Sequence, residues 1–152
     1  METASLSPKR LLSCSCGSLG MLVSGSPVAR AYCHCSSYRH FYGLVVLAAT
    51  AWKSEVVSIV KGQTLVKTHQ HPTKQLQRCF CTICGTNLFG INRLGFKVIH
   101  TSLFAESTGG AVPKELMPEF HLFYAERELN IDDELPKYLD GRSGPVFSDS
   151  VP

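Results

Sequence analysis

Four cysteines stand in two short pairs far apart in the chain: Cys14 and Cys16 in C-S-C-G, and Cys81 and Cys84 in F-C-T-I-C-G-T-N-L-F. Pairs at this spacing sit on tight turns, and two such turns brought together supply four thiolates to one tetrahedral zinc ion. A glycine, Gly17 or Gly85, directly follows the last cysteine of each pair. Ligand turns need backbone angles that a Cβ disfavours, so glycine is expected there. The zinc predicted on Cys14, Cys16, Cys81 and Cys84 is structural, because a closed four-thiolate site leaves no position for a substrate.

A second cluster lies between the pairs. Cys33 and Cys35 flank His34, and Tyr38 follows three residues after Cys35. An open, catalytic zinc site needs three protein ligands and one free position. Cys33 and Cys35 supply two. The candidates for a third are His34, His40, His121 and Cys79. Neighbours in an extended chain point apart, which counts against His34. The other histidines read more plainly: His69 and His71 as solvated residues of a polar loop, His100 and His121 as residues of strand patterns, with His121 interrupting an apolar one. Without metal, Cys33 or Cys35 is a candidate catalytic thiolate.

The elements that must position these residues are mostly short strands. The chain has 152 residues, with 44% hydrophobic and 18% charged, enough for one domain with a real core. Apolar or alternating runs predict strands at Gly20–Ser24, residues 44–50, 56–60 and 65–68, Gln77–Cys81, and residues 88–91, 96–101 and 120–124. Asn92-Arg93-Leu94-Gly95 forms a hairpin connection. Helical signals are confined to Ser36–Tyr42 and to single turns near Ala105–Ser107 and Lys114–Met117. The expectation is a mainly β fold of small antiparallel sheets joined by zinc-binding turns, with few short helices. It places a flexible tail at residues 1–8, one zinc-binding domain at 9–140 and a flexible tail at 141–152.

Bulk properties exclude several classes. A net charge of +3, from fifteen basic and twelve acidic residues without a run, is too small to argue for nucleic acid or an anionic membrane. The longest apolar stretch, residues 43–52, is about half the ~20 residues a membrane helix needs. Lys9-Arg10 followed by Leu11-Leu12, with Ala29-Arg30-Ala31 beyond, suggests a signal peptide. However, the segment between is broken by polar residues and glycines, and cleavage would remove Cys14 and Cys16. Seven cysteines leave one over in a disulfide framework, and their spacings suit metal ligation. A reducing, cytoplasmic setting is therefore expected.

Taken in order, C-S-C-G, C-H-C, Arg78-Cys79-Phe80-Cys81-Thr82-Ile83-Cys84-Gly85-Thr86-Asn87-Leu88-Phe89 and F-H-L-F around His121 resemble the glutathione-dependent formaldehyde-activating enzymes, a family that includes centromere-protein-V-like proteins. The likeness runs from about Cys14 to Gly141. It implies a β-rich fold around zinc-binding turns, the structural zinc named above, and a second, catalytic zinc on a C-H-C-x-x-C segment. It also implies a carbon–sulfur lyase-type reaction, which forms or cleaves the bond between glutathione, as co-substrate, and formaldehyde. Zinc suits that chemistry, since it lowers a thiol's pKa and polarises a carbonyl. The chain departs from the pattern at Tyr38, where the third cysteine would stand. Cys33 and Cys35 carry over as ligands or as the reactive thiolate. Two other readings stay open: a non-catalytic zinc-fold binding module, and a different enzyme using Cys33 or Cys35 beside His34 or His40.

Overall fold

The computed structural model describes residues 8–148; of the tails expected at 1–8 and 141–152, residues 1–7 and 149–152 lie outside them. The fold is mainly β, with ten strands and two seven-residue helices among the described residues. The chain clusters into two units, residues 8–29 with 50–113, and 30–49 with 114–148.

In the first unit, β1 (Lys9–Ser13), β2 (Gly20–Ser24) and β5 (Val57–Lys61) form an antiparallel sheet in the order β1-β2-β5. Alternation sets their faces: Leu12, Met21 and Val23 are buried while Leu11 is 65% exposed. A second run of strands follows the order β4 (Leu47–Trp52, of which residues 50–52 belong to this unit), β9 (Lys97–His100), β8 (Asn87–Ile91), β7 (Gln77–Cys81) and β6 (Val66–Gln70). The β6–β7, β7–β8 and β8–β9 pairs are antiparallel. The expected hairpin joins β8 to β9. The Asn92 side chain accepts from the Leu94 and Phe96 amides, and Gly95 takes φ 84°. Helix α2 (Ser102–Thr108) buries Leu103 and Phe104, and Phe104 stacks on Trp52 at 5.9 Å. This helix extends the single turn expected at Ala105–Ser107.

In the second unit, β3 (Ala29–Cys33) pairs with β10 (Phe120–Leu122), placing His121 opposite Tyr32 and Leu122 opposite Cys33. This pair is parallel, an exception within a fold expected to be mainly antiparallel; side-chain periodicity carries no information on partner direction. Helix α1 (Ser36–Tyr42) has the bounds read from the sequence. Its end explains why β4 begins at Leu47 rather than Leu44. Gly43 takes φ 68° and both Gly43 and Leu44 donate to the Arg39 carbonyl, so these residues close the helix. Residues 141–148, which composition assigns to a tail, return to this unit: the Phe147 amide donates to the Lys137 carbonyl and its ring packs on Tyr124. No helix among the described residues is long and apolar enough to cross a membrane.

Candidate metal centre and the Cys33–Cys35 pair

The first unit brings the four expected cysteines together. Cys14 and Cys16 follow directly from β1, and Cys81 ends β7, with Cys84 in the turn beyond it. Their sulfurs all lie within 4.8 Å of one another. The Cys14–Cys16 separation is 3.6 Å and the Cys16–Cys81 separation 3.9 Å. A tetrahedron with arms of about 2.3 Å has edges of about 3.8 Å, so the donor set fits a four-thiolate metal.

The two turns share one construction. The Gly17 amide donates to the Cys14 carbonyl and the Gly85 amide to the Cys81 carbonyl, and the two glycines take φ 78° and 79°. Backbone amides also reach the sulfurs: Leu19 N–H points at Cys14 Sγ and Ile83 N–H at Cys81 Sγ. Donors of this kind favour thiolate over thiol. Thr86 ties the turns together, as its hydroxyl accepts from the Ser15 amide and lies 3.2 Å from Cys84 Sγ. That hydroxyl is the main influence lowering the Cys84 thiol to about 5, and Ser18 likewise lowers Cys16. Sequence reasoning assigned Thr86 no part; only the folded turns show it.

Cys33 and Cys35 belong to the second unit, with sulfurs 3.4 Å apart. Cys33 ends β3 and is buried; Cys35 is half-buried and caps α1, its sulfur accepting from the Tyr38 amide. The two thiols are electrically unequal. The hydrogen bond from Cys33 lowers Cys35 to about 7, against the opposing effect of burial. Cys33 is pushed well above its usual value by Cys35 and by burial. The pair therefore holds one readily released proton and one tightly held one.

No third ligand joins them: among the described residues, the four-sulfur group is the only set of three or more potential ligands gathered at metal-binding distance. Cys79, His34 and His121 are engaged elsewhere. Cys79 faces Thr68, sulfur to hydroxyl 3.4 Å, and burial raises its pKa. His40 is exposed. His34 Nε2 lies 2.9 Å from His121 Nδ1, and His121 Nε2 lies 2.9 Å from Asp133 Oδ2. Lys137 Nζ reaches Asp133 Oδ1 at 2.6 Å. An ionised carboxylate only accepts, so His121 carries its proton on Nε2; its Nδ1 then accepts from His34 Nε2–H. His34 Nδ1 is left as a buried lone pair with no partner. Burial first, then His121, lowers the His34 pKa to about 4. Burial raises the Asp133 carboxyl, but hydrogen bonds from Lys137 and His121 outweigh it and hold the group below its usual range. The i, i+4 spacing of Asp133 and Lys137 was visible in the sequence; its link to His121 was not.

Tyr38 stands at the position of the expected third cysteine. Its ring stacks on Tyr42 at 6.0 Å, and its hydroxyl is sealed from solvent without a hydrogen-bond partner. Burial raises its pKa far above the usual phenol value, and negative charge on Tyr42, Cys33 and Cys35 adds to the rise.

The sequence profile of the glutathione-dependent formaldehyde-activating enzymes matches residues 10–126. The chain belongs to this family. The match takes in both cysteine pairs, the Cys33–Cys35 segment and His121, but ends before Asp133 and Lys137. A crystal structure of a Rhodobacter sphaeroides protein is similar in fold, with a TM-score of 0.52 and 19% identity over 72% of this chain and 98% of that one. No curated protein matches the chain significantly.

Proposed function

We propose that this member of the formaldehyde-activating family makes or breaks a carbon–sulfur bond in a thiol–aldehyde adduct such as S-hydroxymethylglutathione. Membership of the family over residues 10–126 supports the reaction class. The observation that carries the site is the 3.4 Å contact between the unequal thiols Cys33 and Cys35. This reading treats residues 9–140 as one functional domain and places it in a reducing, cytoplasmic compartment, where thiols persist.

Zinc on Cys14, Cys16, Cys81 and Cys84 serves folding, because closing that site joins turns more than sixty residues apart. A second zinc on Cys33 and Cys35, when bound, would supply an acidified thiol and a polarised carbonyl. The protein's own residues cover part of the same ground. Cys35 is poised to lose a proton near neutral pH, and Cys33 can stabilise the thiolate by donating to it. In the addition direction the Cys35 thiolate takes the proton of the co-substrate thiol, the freed sulfur bonds to the aldehyde carbon as the carbonyl π pair moves to oxygen, and that oxygen takes the proton back from Cys35. In cleavage the Cys35 thiolate takes the proton of the adduct hydroxyl, the carbonyl re-forms as the carbon–sulfur bond breaks, and the leaving thiolate takes the proton from Cys35.

Metal analysis of protein purified without added zinc, with exchange spectroscopy of glutathione and formaldehyde, tests the proposal. The expected result is one tightly held zinc per chain and faster adduct exchange, which Cys35→Ser abolishes while that zinc is retained. Exchange no faster than in buffer would overturn it. A specific observation favours a second reading: with Tyr38 in place of a third thiol, the fold could serve as a zinc-stabilised binding module without turnover. That reading predicts one zinc and no rate.

A further inference from the structure

The second unit contains a cavity of about 590 Å³, lined by residues between Tyr124 and Phe147 and within the size range of small-molecule sites. Neither Cys33 nor Cys35 lines it. Tyr124, Ile131, Leu135 and Phe147 give it apolar walls, and Arg127, Asp132, Asp133 and Lys137 bring charge to it. Two of these charges are already matched. Lys137 Nζ donates to the Asp133 carboxylate, the Asp133 carbonyl and the Leu135 carbonyl, which uses all three N–H groups of an ammonium. The other Asp133 carboxylate oxygen takes His121 Nε2–H. Arg127 differs. It is half-buried, and no carboxylate pairs with it among the described residues. Its Nε donates to Asn130 Oδ1 at 2.6 Å and its Nη1 to the Tyr124 carbonyl at 2.9 Å, which leaves Nη2 without an acceptor. The guanidinium is also held in place, 4.3 Å from the centre of the Tyr124 ring and 4.9 Å from that of Phe147. A fixed planar fork with open donors loses little freedom when it takes an anion.

We propose that this cavity binds a small organic monocarboxylate, with its carboxylate on Arg127 and its apolar part against Tyr124 and Phe147. The charges select the class. Asp132 and Asp133 share the cavity with its one unmatched cation, so a single negative charge is balanced and a dianionic phosphate is repelled. Nη2 and the second hydrogen of Nη1 form the pair of parallel donors that a carboxylate accepts. The walls select the body of the ligand, since an apolar group gains by burial there and a bare ion such as acetate does not. The cavity also borders the histidine chain. Tyr124 meets His34 edge-on at 5.0 Å, and Asp133 serves both the cavity wall and His121. Occupancy is therefore felt at His121 through groups outside the Cys33–Cys35 pair. The inference stands independently of the carbon–sulfur reading.

Calorimetry of the full chain with 3-phenylpropionate, and with 3-phenylpropanol as its uncharged counterpart, tests the site whether or not the protein turns over a substrate. The acid is expected to bind once per chain, at least about tenfold tighter than the alcohol, which is what one charge-assisted hydrogen bond supplies. It should also move the His121 ring signals in NMR. Arg127→Gln should weaken the acid at least about tenfold and leave the alcohol unchanged. Arg127 also holds the Tyr124 carbonyl, so a second variant covers the case in which Arg127→Gln does not fold. Val146 lines the cavity and is 54% exposed. Val146→Trp fills part of the space without entering the core and should weaken both ligands. Asp132→Asn removes a like charge and should tighten the acid. Acid that fails to saturate the protein, binds no tighter than the alcohol, or binds unchanged to either folded variant would overturn the proposal. Binding that leaves the His121 signals unmoved, or that is lost in Asp132→Asn, would place the probe elsewhere and overturn it too.

Discussion

His34 Nε2 and His121 Nδ1 lie 2.9 Å apart, and neither residue has any exposure to solvent. The contact locks both rings through Asp133 and Lys137, and it holds the residue between Cys33 and Cys35 in one orientation. The Arg39 side chain secures the same point by donating to the His34 carbonyl.

The first prediction concerns pH. His34 is lowered from the usual histidine value to about 4, chiefly by burial. Its unfolded form therefore binds a proton that the folded form refuses. The stability tied to this group is complete above pH 6.5 and falls as pH drops from 6.5 to about 4. At 1.36 kcal/mol per unit the loss is about 3 kcal/mol. Urea unfolding across this range should show it, and ring NMR should show His34 neutral at pH 5.5. A His34 signal titrating near pH 6.5 would refute the locked-ring account.

Removing one sulfur should separate a ligand from a bystander. Cys84→Ser should release the metal and unfold the first unit, since metal binding there is folding free energy. Cys79→Ser changes a buried cysteine in the same strand as Cys81, outside the four-sulfur group. It should lower the melting temperature modestly and leave metal content intact. Equal metal loss in the two variants would count against the assigned ligands.

Gly62 offers a test of the turn that supports the metal site. It takes φ 75°, and a Cβ added there would stand 2.3 Å from the Ser18 carbonyl oxygen, beside the turn of Cys14 and Cys16. Neighbouring Lys61 donates to the Gly17 carbonyl. Gly62→Ala should destabilise by more than about 1 kcal/mol and speed the release of zinc to a chelator. Gly25 also takes positive φ but has open space around its missing Cβ. Gly25→Ala should be milder and leave the release rate unchanged.

On the proposed reading, in which the four-sulfur group holds one zinc, Tyr38→Cys should raise tightly held zinc from one per chain towards two. Two thiolates under-coordinate the metal, while a third at C-x-C-x-x-C spacing fixes it and leaves one position open. Metal analysis after exhaustive dialysis measures this. An unchanged zinc content would mean that the Cys33–Tyr38 segment does not close into a metal turn.

The sequence by itself determined what depends on consecutive residues. Cysteine spacing with Gly17 and Gly85 defined the two cysteine turns, because turn geometry is set within four or five residues. A short apolar run found β2 and period-two alternation found β7, both with their observed bounds, and the Asn92–Gly95 turn followed from its residue types. Strands β1 and β3 were not legible. Lys9-Arg10 and Arg30 interrupt the apolar signal, and Arg30 is accommodated by partners far along the chain, the Glu119 carboxylate and the Glu115 carbonyl, each at 2.7 Å. The parallel pairing of β3 with β10, the chain from Lys137 to His34, and the part of Thr86 between the metal turns were decided by tertiary structure. Each joins groups distant in sequence, and hydrogen bonding and burial select such partners only once the chain has folded.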